Sequence, residues 1–145
     1  MTTGIHGHGV VLAKAADTNF AAVTTFGQIV SLSGPNHSVD AIDISNMGST
    51  GKWREFINGM RDAGELSGDI VYDGSTYASA MKTEFTNPTA YWRVLFNDHT
   101  STSNCSKIVC AGFLTSLGHT IPYDDKVGQS FTLKLTGQPV FTART

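Results

Sequence analysis

Alternation with a period of two runs through most of this chain and leaves little room for any architecture other than sheet. Phe131, Leu133 and Leu135 share one face of an extended segment, with Thr132, Lys134 and Thr136 on the other. That is how a strand presents successive side chains. Trp92, Val94 and Phe96 alternate with Tyr91, Arg93 and Leu95, and Leu66, Gly68, Ile70 and Tyr72 alternate with Ser67, Asp69 and Val71. Further strands are expected at about 8–14, 24–33, 38–45, 106–117 and 138–142. Turn-forming clusters separate them: Gly34-Pro35-Asn36, Asp73-Gly74, Asn97-Asp98 and Pro122-Tyr123-Asp124-Asp125. Trp92, Val94, Phe96, Phe131, Leu133 and Leu135 are the expected core.

Two segments break the alternation. Ser75 can cap a helix over about 75–86, in which Tyr77, Ala80, Met81, Glu84 and Phe85 recur at helical spacing until Asn87-Pro88 stops it. Trp53, Phe56, Ile57 and Met60 are spaced as one face of a shorter helix over about 52–61, with Thr50 as a cap and Gly64 just past its end. The expected fold is therefore mainly β: a β-sandwich or partly closed barrel with the 75–86 helix on its flank and the 52–61 helix beside it. Residues 1–145 are read as a single domain with a flexible N-terminal arm over about 1–9. Ser45–Gly51 and residues 98–106 have no core pattern, and such loops are natural places for contacts in an assembly.

The chemistry-bearing residues do not converge on a reaction. Charged residues make up 15% of the chain, below the roughly 25% of an average protein. Its polar surface therefore rests on Ser, Thr, Asn and Gly, which suits a surface covered by neighbours. The formal net charge of −2, with no run of Lys or Arg, excludes tight nucleic-acid binding. His6 and His8 would share a strand face, but no further ligands are spaced to complete a metal site. Asp124-Asp125 has turn composition, and Asp40 and Asp43 have opposite parity, so neither pair suits acid/base work. Nucleophile-elbow and phosphate-loop motifs are absent, so no enzyme activity and no cofactor are expected. Cys105 and Cys110 flank the start of a strand with side chains on opposite faces, which disfavours a disulfide. Met1–Val11 does not read as a signal peptide, and no window reaches the length of a membrane span.

The ordered set Asp43, Ser45, Met47 and "GKWREFINGMRDAGELSGDIVYDG" (Gly51 to Gly74), then "YWRVLF" (Tyr91–Phe96) and "VGQSFTLKLTGQPVFT" (Val127–Thr142), resembles the tail tube proteins of long-tailed bacteriophages, of the lambda-like siphophage type. The resemblance implies a virion component, assembled in the bacterial host cytoplasm, whose subunits join edge to edge into hexameric rings that stack as the conduit for viral DNA. Expected partners are other copies of the chain and the tape measure, tip and terminator proteins, with transient, non-sticking passage of DNA and no membrane insertion. Ser45, Asn46, Met47, Gly48 and Ser49 are the candidate inter-subunit contacts. Asp40 and Asp69 are the candidates for the lumen, on strands whose neighbours Val39 and Ile70 would face the core. Rival readings are the inner tube of a contractile injection or secretion system, and a monomeric β-barrel with a ligand pocket.

Overall fold

The computed structural model describes residues 4–26, 29–72, 89–101 and 103–145. Among the described residues there are nine strands: β1 (Val11–Ala15), β2 (Val23–Phe26), β3 (Ile29–Ser33), β4 (Ser38–Asp43), β5 (Phe56–Asp62), β6 (Glu65–Val71), β7 (Ala90–Leu95), β8 (Lys107–Thr120) and β9 (Gly128–Thr142). Seven form one sheet in the order β2-β1-β7-β8-β9-β6-β3, and β4 and β5 form a separate two-stranded ribbon. Every pairing is antiparallel.

The long hairpin β8–β9 organises the sheet. Its 14- and 15-residue strands pair with each other over nearly their whole length. The first half of β8 also pairs with β7, and the first half of β9 with β6. Two register shifts interrupt the hairpin, between Val109 and Ala111 and between Leu114 and Ser116. Such bulges bend a strand and raise its twist.

How far the sheet curls follows from connectivity. β2 and β3 are its opposite edges, yet only residues 27 and 28 separate Phe26 from Ile29. Three peptide links span at most about 11 Å, so the two edges meet at this corner. The sheet comes round on itself without a hydrogen-bonded seam, and stops short of a barrel.

Side chains from both halves meet inside the curl. Leu12, Phe26, Trp92, Val94 and Cys110 from one half pack with Leu66, Ile70, Phe131, Leu133 and Leu135 from the other, and Phe96 packs against them. The Trp92 and Phe26 rings stack with centroids 5.7 Å apart, and the Trp92 indole N–H donates to the Gly112 carbonyl at 3.3 Å. Period-two reading thus placed the core correctly. Tyr72, grouped with Leu66 and Ile70 by parity, is exposed where β6 runs out. Both cysteines are buried and free.

The helix expected at 52–61 is not there. Phe56–Asp62 is strand β5, with Ile57 opposite Ile42 and Phe56 opposite Asp43, and the only helical turn in this stretch is a 3-10 turn at Thr50–Lys52. Trp53, Phe56, Ile57 and Met60 do not make one buried face; all four are exposed. The spacing matched a helix, but Ile57, Asn58 and Gly59 are weak helix formers. The strand over 38–43 supplies a complete set of backbone partners instead. The helix expected at 75–86 lies outside the described residues.

Candidate assembly surfaces

The ribbon grows out of the main sheet. β3 pairs with β6 and β4 pairs with β5, so β3–β4 and β5–β6 are the two sides of one long hairpin. It bends where Gly34-Pro35-Asn36 faces Ala63-Gly64. Gly34 has φ 108° and Gly64 φ 77°, and a Cβ on either would run into backbone, that of Glu65 or of Asn36 respectively. Only glycine combines that torsion with that approach. Asp62 anchors the bend. Its carboxylate accepts the Gly64 N–H at 2.9 Å and the Lys134 ammonium at 3.1 Å, and these bonds, the Gly64 one foremost, hold its pKa below the usual value. The Gly64 carbonyl accepts the Leu135 N–H at 3.1 Å.

Beyond the bend no residue of β4 is buried, and the ribbon carries apolar side chains on both faces. Register and alternation place Ile42 and Ile57 on one face with Asp40 and Gly59, and Val39 and Phe56 on the other with Ala41, Asp43 and Arg61. Val39 is 50% exposed, Ile42 49%, Phe56 53% and Ile57 49%, with Met60 82% exposed at the bulge. Val39 therefore does not face the core, contrary to expectation. Its strand stands outside the main sheet, where no core is within reach.

The loop at the ribbon tip is built by short-range bonds. Asp43 Oδ1 accepts the Ser45 N–H at 2.8 Å, Asn46 Oδ1 the Gly48 N–H at 2.8 Å, and Ser49 Oγ the Asn46 N–H at 3.1 Å. Ser45 Oγ accepts the Glu55 N–H at 2.8 Å, closing the loop across its base. The hydroxyl and amide of Ser45 lower the Asp43 pKa. Ser45, Asn46, Met47, Gly48 and Ser49 thus sit together in a shaped, exposed tip. Met47 and Trp53 project from it, 107% and 79% exposed. Trp53 was expected on one face of a helix; it stands instead in solvent just after the 3-10 turn, and no local signal distinguishes the two.

Asp69 and Asp40 are not brought together. Asp69 lies on β6 in the main sheet, on the face opposite buried Ile70, and accepts a bond from Ser31 Oγ at 3.0 Å. Register groups it with Ser31, Ser33, Ser67, Ser130, Thr132, Ser116 and Gly118, with Glu65 and Lys134 on the same face. This outer face of β3–β6–β9–β8 is largely hydroxyl-bearing. Its charges, Glu65 and Asp69 against Lys134 and, by alternation along β8, Lys107, show no excess of cations, and Phe113 lies opposite Lys134. Asp40 lies on the ribbon. Among the described residues no group of three His, Cys, Asp or Glu side chains is placed to hold a metal, and no helix is long and apolar enough to cross a membrane.

No protein-family model and no curated protein matches this chain. Solved structures do. A chain from the tail of an empty gene transfer agent particle, with sixfold symmetry, is 19% identical over 97% of this chain and 100% of its own length, with a TM-score of 0.72. The SPP1 tail tube is 10% identical over 97% of this chain and 80% of its own, with a TM-score of 0.72. A chain of the sheath/tube terminator of an extracellular contractile injection system is 14% identical over 98% of this chain and 99% of its own, with a TM-score of 0.73. The chain therefore has the tail-tube fold.

Proposed function

We propose that this protein is a structural, non-enzymatic subunit of a phage tail tube of the siphophage type. It assembles in the host cytoplasm into stacked, sixfold rings that conduct viral DNA, and it resides in the virion tail. One observation carries the reading: a ribbon with apolar side chains on both faces, standing clear of the core. A lone two-stranded ribbon is marginal in water, and apolar surface on both faces needs cover on both. Neighbouring copies supply it. The open edges β2 and β3 add unpaired backbone that a neighbour's strand satisfies.

Within this reading, Ser45, Asn46, Met47, Gly48 and Ser49 contact another subunit, with Met47 the apolar anchor. The hydroxyl-bearing face around Asp69 lines the channel, where short neutral side chains and no cationic cluster let phosphates pass without being held. Asp40 joins it where the ribbon borders the lumen. Tape measure, tip and terminator proteins are the further partners. The shared fold equally supports the inner tube of a contractile injection system. A sheath protein that binds the assembled tube would select that second reading.

Negative-stain microscopy of the purified protein tests the proposal. Tubes are expected, and deleting Asn46–Ser49 should leave a folded subunit that no longer polymerises. A monomer that persists at high concentration would overturn the assignment. Tubes carrying Asp40→Lys and Asp69→Lys should retain DNA in a salt-sensitive way; if they do not, these two residues lie off the channel and the tube stands.

A further inference from the structure

The two poles of the β8–β9 hairpin differ in a complementary way. At one pole the turn Ile121-Pro122-Tyr123-Asp124-Asp125-Lys126 projects into solvent, with Ile121 76% and Tyr123 105% exposed. Asp125 is engaged locally, accepting the Lys126 N–H at 2.7 Å and lying 3.8 Å from its ammonium. Asp124 is the second carboxylate of the tip. Turns ordinarily carry polar residues, and Tyr is among the side chains that anchor protein contacts.

At the opposite pole the chain builds a cleft of about 610 Å³ from Ile5, His6, Asn97, Phe141, Ala143 and Arg144. Its apolar wall is exposed, Ile5 by 59% and Phe141 by 66%. Its frame is tied down from three sides. Asn97 Nδ2 donates to the His8 carbonyl at 3.3 Å, the Thr145 N–H donates to the Asn104 carbonyl at 3.2 Å, and Asp98 accepts both the N–H and the hydroxyl of Ser106 at 2.9 and 2.6 Å. Arg144 gives one N–H to the Asp98 carbonyl at 3.1 Å, and its charge also acts on the Asp98 carboxylate, which lines the same cleft. A guanidinium carries five N–H donors in a fork that fits a carboxylate.

We infer that the Ile121–Asp125 tip of one subunit inserts into the Ile5/Phe141/Arg144 cleft of a second copy. Tyr123 and Ile121 pack on Ile5 and Phe141, and Asp124 pairs with Arg144. The contact joins different surfaces of identical chains at opposite ends of a hairpin up to about 45 Å long, so it is heterologous and propagates in one direction. It rests on the tube reading and adds to it a polarity and a specific seat. The ribbon contacts proposed above use other surfaces.

The decisive experiment couples cross-linking with charge reversal. Tubes of a Tyr123→Cys, Ile5→Cys double variant, oxidised mildly, should run as a ladder of disulfide-linked multimers, while each single variant stays monomeric; the native cysteines are buried. Asp124→Arg and Arg144→Glu should each raise the concentration needed for assembly by at least tenfold, and the two together should restore it to within about threefold, a coupling of the size measured for close charge pairs. Circular dichroism confirms folding of each variant. Tubes that give no ladder, or reversals whose effects add, would overturn the contact and leave the tube intact. Protection of the tip only at tube ends would assign it to a different, terminating protein and also overturn the proposal. A wild-type chain that forms no multimer removes both readings.

Discussion

The two tryptophans of this chain should separate folding from assembly. Trp92 is 1% exposed, stacked on Phe26 and bonded to the Gly112 carbonyl; Trp53 is 79% exposed at the ribbon tip. Trp92→Ala removes a whole buried indole and leaves a cavity, which costs about 3–5 kcal/mol. Of that, about 0.5–1.5 belongs to the ring pair and about 1 to the hydrogen bond. Against a total stability of about 5–15 kcal/mol this is a third or more in most of the range. For a chain of this size it lowers Tm by about 6–20 °C. Trp53→Ala deletes no core contact, so the isolated subunit should change by less than about 0.5 kcal/mol. In a tube the same indole buries about 150–200 Å², a gross gain of about 4–5 kcal/mol that ordering costs reduce to about 2–4. The concentration needed for assembly should then rise by about 30- to 900-fold. Thermal melts followed by circular dichroism, with pelleting assays across a concentration series, measure both quantities. If Trp53→Ala melts as low as Trp92→Ala, or assembles as readily as wild type, the division of labour argued from their exposure is wrong.

Three further outcomes follow from specific contacts. Gly64→Ala should destabilise the subunit by more than 1–2 kcal/mol, about the cost of a left-handed torsion alone, because its Cβ also meets the Asn36 carbonyl; chemical denaturation reads this, and a neutral result would reject the tight bend. Burial pushes the Cys110 thiol up to about 11, so a thiolate-directed reagent at about pH 8 should label the native chain far more slowly than the denatured one. Bonds from Ser106 hold Asp98 below its ordinary value of 3.8. The stability they contribute is complete above that value and lost as pH falls through the lower folded one, so Asp98→Asn should flatten the acid limb of a Tm-against-pH curve.

The core was legible in the residues themselves because strand parity is a local property. Phe131, Leu133 and Leu135 or Trp92 and Val94 must share a face wherever their strands end up. The turn at Gly34-Pro35-Asn36 was legible because Gly34 takes a φ of 108° that few other residues adopt, and the one at Pro122–Asp125 because Pro and Asp favour turns. The ribbon was not. Trp53, Phe56, Ile57 and Met60 satisfy helical spacing, and what decided against a helix was β4, whose residues 38–43 pair with 56–62 from across a loop. Nothing within 52–61 encodes that partner. Asp69 could be placed opposite a core residue by parity alone, whereas Val39 could not, because alternation states which residues share a face and not what lies against it. The curl of the sheet is likewise a tertiary result. Phe26 and Ile29 are near neighbours in sequence yet end up on opposite edges, and that placement arises only when five intervening strands, most of them later in the chain, have paired. Sequence determined which side chains point together. Only the assembled sheet decided that one apolar ribbon would be left outside it, exposed on both faces.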